Sequence, residues 1–79
     1  MQSFANAAEL YSAALEADPE NLNALQNLAY LYMLRRDFEK SRELLQKARR
    51  LYPENEYVKK NLEMLEQAEK EEQTKSPDS

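Results

Sequence analysis

The chain has 79 residues and a formal net charge of −4, and it lacks Gly, Cys, His and Trp. This length allows one small domain at most. The missing Cys and His exclude disulfides, thiol chemistry, histidine bases and ordinary zinc sites, so neither a metal nor a cofactor is expected. Ala, Leu, Glu, Lys and Arg make up more than half of the chain, with no Ile, one Val (Val58) and one Thr (Thr74). A sheet would need the β-branched residues and Gly turns that are missing, so the fold class is all-α.

Charge is segmented. Residues 1–34 hold four acids and no base, 35–60 nine bases and five acids, and 61–79 two bases and six acids. That order predicts a basic element packed between two acidic ones, and the net negative charge disfavours a nucleic-acid partner. No apolar run approaches the ~18 residues of a membrane span. The start, MQSFANAAEL, has no basic stretch ahead of an apolar core, so no secretory signal is expected. The compartment stays open, with cytoplasm as the default.

In chain order, the first helix is predicted over about 3–17. Pro19 follows in the phrase DPEN. The second helix, over about 21–34, has Leu22, Leu25, Leu28, Ala29 and Tyr32 along one face. LRRD is long enough only for a tight turn. The third helix, over about 37–51, aligns Phe38, Ser41, Leu44, Leu45, Ala48, Leu51 and Tyr52, and Pro53 in YPEN stops it. The fourth is predicted over about 55–72, which closes a domain of residues 1–72 and leaves 73–79 as a disordered tail. Asn21 and Asn55, two residues after each proline, are candidate N-caps.

Pro19 and Pro53 are 34 residues apart. The same shift places Phe4 on Phe38, Leu10 on Leu44, Ala14 on Ala48, Asn21 on Asn55, Asn27 on Asn61 and Leu28 on Leu62. A fixed period of this size marks stacked helical hairpins. The fourth helix departs from the period. Glu56, Lys59, Glu63 and Glu66 replace Leu22, Leu25, Ala29 and Tyr32, and only Val58, Leu62 and Leu65 keep an apolar line. It should cover the preceding pair and offer little for another pair to stack on.

With these residues in place, NLNALQNLAYLYMLRRDFEKSRELLQKARRLYPEN resembles a tetratricopeptide repeat. Leu25 stands at the family's Trp and Leu28–Ala29 at its Leu-Gly pair. Tyr32, Ser41, Leu45, Ala48 and Pro53 stand at its Tyr, small residue, Phe, Ala and Pro. SFANAAELYSAALEADPEN is similar to the second half of a preceding repeat through Phe4, Ala7, Tyr11, Ala14 and Pro19. The resemblance covers about residues 3–72: half a repeat, one whole repeat and a capping helix. It implies four helices in antiparallel hairpins of a right-handed solenoid.

Two departures bear on behaviour. The hairpin turn usually carries Gly for a left-handed backbone, and Arg36 takes that place here. Either the turn is strained, and Arg36→Gly relieves it, or the second and third helices run on as one and swap between two chains. The first helix also lacks a hairpin partner, which would leave Ala8, Tyr11 and Leu15 bare and favour self-association over a lone monomer.

The resemblance implies a protein–protein interaction scaffold whose concave groove holds a peptide or protein partner. The groove candidates are Asn23, Gln26, Asn27, Tyr30 and Met33 on the second helix, and Tyr57, Lys60, Asn61 and Met64 on the fourth. Asn and Gln can bond both N–H and C=O of a peptide, while Tyr and Met add adaptable apolar contact. Part of the family binds acidic chaperone tails through a carboxylate clamp. Asn27 fits that clamp, but Tyr57 and Asn61 stand where it has bases, so no clamp is expected. The competing role is structural: oligomerisation or docking through the unpaired first helix, with a domain-swapped dimer as one form.

The basic run Arg35, Arg36, Lys40, Arg42, Lys47, Arg49 and Arg50 has no interleaved exposed aromatics. It reads as a solvated face, with Glu43–Lys47 and Glu66–Lys70 as i,i+4 pairs. The carboxylate pairs Glu63/Glu66 and Glu9/Glu16 have no cleft to tune them, so an enzyme is not expected.

Overall fold

A computed structural model of the chain describes residues 3–74 as four helices. They are α1 (Ser3–Ala17), α2 (Leu22–Leu34), α3 (Phe38–Leu51) and α4 (Glu56–Thr74). Each of the last three begins one residue after its capping residue. The Asn21 side chain accepts from the Ala24 N–H at 3.1 Å, and Asn55 Oδ1 accepts from the Val58 N–H at 3.0 Å. Both bonds satisfy N–H groups that the first helical turn leaves without a partner. Asp37 caps α3 through a longer 3.5 Å bond from Lys40 N–H. α4 extends to Thr74, two residues into the stretch expected to fray, and 75–79 lie outside the described residues.

The two proline phrases form the same turn. Asn21 N–H donates to Asp18 O at 3.0 Å, and Asn55 N–H donates to Tyr52 O at 3.1 Å. A proline in the second place of such a turn pre-sets its φ, which is why the phrase recurs at each passage between hairpins. The turns are also tied together, since the Tyr52 hydroxyl donates to Glu20 O.

Between α2 and α3 the backbone closes differently. Arg36 N–H donates to Met33 O at 3.0 Å and Asp37 N–H donates to Tyr32 O at 2.9 Å. This is a Schellman closure, which requires a left-handed residue just past the helix. Arg36 supplies it with φ of 66°, the one positive φ among the described residues. α2 and α3 are therefore separate antiparallel helices joined by a tight turn within one chain, and the run-on helix is not what this structure contains.

The core consists of two small layers, each with one residue from α2, α3 and α4. Leu25, Ala48 and Val58 form the first, and Ala29, Leu45 and Leu65 the second. All six have no exposed surface. Along α2 the layer residues rise from 25 to 29, while on α3 they fall from 48 to 45, as an antiparallel hairpin demands. On α4 they rise from 58 to 65, so α4 runs in the direction of α2. Leu44 and Leu62 pack against both layers. Ser41 sits fully buried at the helix crossing and donates its hydroxyl to Ala29 O at 2.8 Å. A small residue there lets the two backbones approach, and the bond satisfies a hydroxyl that would otherwise be costly to bury.

Two expectations are corrected. Among the described residues the backbone of α3 packs on α2 and α4 while that of α1 packs on α2, so uncharged α2, and not acidic α1, flanks the basic helix on its other side. α2 has no charged residue, and α3 meets acidic α4 alone, through Arg42–Glu69 and, from the turn before it, Arg36–Glu72. The pairs Glu43–Lys47 and Glu66–Lys70 are not among the ion pairs of the described residues. The local pairs are Lys40–Asp37 at 3.9 Å and Lys59–Glu56 at 4.0 Å.

The second correction concerns α1, whose backbone packs on that of α2. Ala8, Tyr11 and Leu15 are half-buried rather than bare, with Leu15 against the first core layer. The open strip is Asn6, Glu9, Leu10 and Ala13, and Leu10 is 71% exposed. Leu44, 34 residues on, is held by both core layers. Leu10 has no such cover among the described residues, where α1 has no hairpin partner.

Candidate functional site

α2 and α4 run in the same direction and touch, and their C-terminal halves enclose a shallow apolar depression. Tyr30, Met33 and Leu34 of α2 line one wall, and Met64 and Ala68 of α4 the other. Phe38 closes the end at the hairpin turn, with Arg36 and Glu71 at the rim. Tyr30 and Met64 are each 45% exposed and Leu34 61%, so apolar surface from both helices is presented together. Arg36 is already engaged by Glu72.

Of the nine groove candidates, the structure brings Tyr30, Met33 and Met64 into this depression. Asn23, Asn27, Tyr57 and Lys60 are exposed elsewhere on α2 and α4, while Gln26 and Asn61 are half-buried. Asn27 and Lys60 lie about one turn from Tyr30 and Met64 along their helices, and thus adjoin the depression without lining it. Leu34, Phe38 and Ala68 are not among the candidates. The 34-residue shift that pairs Tyr30 with Met64 also pairs Leu34 with Ala68, so the sequence carries part of this signal.

Of the basic run, Arg36 stands at the rim of the depression, and the members on α3 itself do not line it. Arg42 is paired with Glu69, and Lys40 Nζ stands 5.4 Å from the centre of the Tyr32 ring while also near Asp37. Arg49 and Arg50 border a second depression between α3 and α4, facing Lys59, Glu63 and Glu66 across Leu62. Mixed charge gives that surface no single ligand sign. Among the described residues there is no cluster of three or more metal-ligating side chains, and no helix is long and apolar enough to cross a membrane.

Helical hairpins that stack at a fixed period and present a surface rather than enclose a cavity define a helical-repeat protein. The family model for the tetratricopeptide repeat matches residues 1–65, and the chain belongs to that family. Neither the curated proteins nor the solved structures contain a match to the chain. Repeats of this family generally mediate protein–protein interactions, and the family is typically a non-enzymatic scaffold.

Proposed function

We propose that the chain binds a peptide segment of a protein partner in the groove between α2 and α4. The observation that carries this reading is the half-exposed pair Tyr30 and Met64, one on each wall of an apolar depression, in a chain that is 33% charged. Asn27, about one turn from Tyr30 along α2, supplies an amide next to it, which can bond an extended backbone whatever its side chains. α4 closes the stack at its far side. Lys59, Glu63 and Glu66 replace the apolar residues with which α2 meets α3, and a further helix would have to desolvate them. The role is that of a scaffold.

A second reading rests on Leu10. Its exposure on the open strip of α1 supports a docking or oligomerisation surface. The two readings separate by substitution. Capture of a partner by the immobilised chain should be lost with Asn27→Ala/Tyr30→Ala and kept with Leu10→Glu, both folded by circular dichroism. The reverse pattern would reject the groove in favour of α1.

A further inference from the structure

α2 contains no charged residue in its 13 positions, although the chain as a whole is one-third charged. Core packing explains the neutrality of Ala24, Leu25, Leu28 and Ala29, which are buried. It does not explain Asn23, Asn27, Tyr30 and Leu34, which are exposed. A solvated helix face in such a chain would carry Glu and Lys, as α3 and α4 do. The opposite wall differs in one respect. Lys60 stands at the 34-residue counterpart of Gln26, is exposed, and forms no ion pair among the described residues, whereas its neighbour Lys59 meets Glu56 at 4.0 Å. One turn further along α4 is Met64, on the same face and about 5–6 Å away between Cβ atoms.

Building on the groove reading, we infer that the bound segment has a defined chemistry. It carries one bulky apolar side chain not branched at Cβ (Leu, Met or Phe), an Asp or Glu one to three residues away, and no basic residue where it crosses α2. The apolar side chain seats among Tyr30, Met33, Leu34, Phe38, Met64 and Ala68. The thioethers of Met33 and Met64 adapt to side chains of different shape, which suits a class of residues better than one. The carboxylate meets Lys60, whose charge is not already spent on a neighbour. The uncharged α2 wall gives a basic residue of the segment no counter-charge on that side, so it is disfavoured there through desolvation, while the acid at the rim, Glu71, belongs to the α4 wall.

The test is selection of a phage-displayed random decapeptide library on the full chain, followed by titration of synthetic copies of the enriched peptides. The expected consensus is one Leu, Met or Phe with a nearby Asp or Glu and no Lys or Arg. Lys60→Gln should weaken these peptides about two- to five-fold, the range of an exposed ion pair. It should leave unchanged a peptide whose acid is replaced by Gln. Met64→Glu should weaken both peptides more than about tenfold. Because Met64 is half-exposed, the fold is expected to survive this change, and Met33→Ala serves as a second variant. If enriched peptides weaken on Asn27→Ala/Tyr30→Ala but share no apolar anchor, or ignore Lys60→Gln, this inference fails and the groove stands. If no peptide is enriched, or binding ignores Asn27→Ala/Tyr30→Ala, the groove reading fails and this one with it.

Discussion

Replacing Arg36 with Gly sets two effects of opposite sign against each other at the hairpin turn. A left-handed backbone costs a non-Gly residue about 1–2 kcal/mol, and Arg36 holds φ of 66°. Gly removes that cost but loses about 0.5–1 kcal/mol more chain entropy on folding, leaving a backbone gain of about 0.5–1 kcal/mol. Against it stands the ion pair with Glu72. The two side chains are 52% and 50% exposed, and a pair so open to solvent contributes about 0–1 kcal/mol. Arg36→Gly alone should therefore change stability little, in contrast to the simple gain expected from the missing turn glycine. Glu72→Gln removes the pair and isolates the backbone. In that background, Arg36→Gly should raise stability by about 0.5–1 kcal/mol, or the melting temperature by roughly 2–8 °C for a domain of this size. Arg36→Ala, which keeps the strain, should give no such rise. Thermal melts by far-UV circular dichroism on the original chain, the two single variants and the double variant measure this directly. A fall in melting temperature when Arg36→Gly is added to Glu72→Gln would refute the assignment of strain to the turn.

Leu45→Ala removes a fully buried side chain from the second core layer. It should cost about 2–5 kcal/mol, enough to lower the melting temperature steeply or prevent folding, as chemical denaturation would show. Asn21→Ala and Asn55→Ala each remove a capping bond and should each cost about 1 kcal/mol in the same assay. Their effects should add, because the caps serve different helices. Leu10→Glu alters a side chain that is 71% exposed. Stability should shift by no more than about 0.5 kcal/mol, while any concentration-dependent association seen by light scattering should disappear.

The period is legible in the sequence because its punctuation is chemical. Each passage between hairpins needs Pro to set a turn and Asn to cap the next helix, and these recur as DPEN and YPEN. Helix faces are legible for the same reason: Leu25, Ala29, Leu45 and Ala48 follow a spacing that only a helix can bury. The ion pairs are not. Arg42 meets Glu69 and Arg36 meets Glu72 because α4 lies across α3 at one particular angle, and no spacing along the chain encodes an angle. The same holds for Leu34 and Phe38. As residues at helix ends they look like core or fraying positions, and they become part of a depression only when the ends of α2 and α4 come together. The open face of α1 escapes the sequence for a related reason. Tyr11 and Leu15 stand on the apolar side that a missing partner would bare, yet α2 covers that side, and Leu10 remains outside.

Site-directed photo-crosslinking tests the groove most directly. Benzoylphenylalanine placed at Met64, on the wall of the apolar depression, and at Gln46, on the separate α3–α4 surface, reports which face a selected peptide occupies. The groove account predicts an adduct from position 64 that excess unlabelled peptide competes away, and none from position 46. An adduct from position 46 alone would contradict it and move the binding surface to α3.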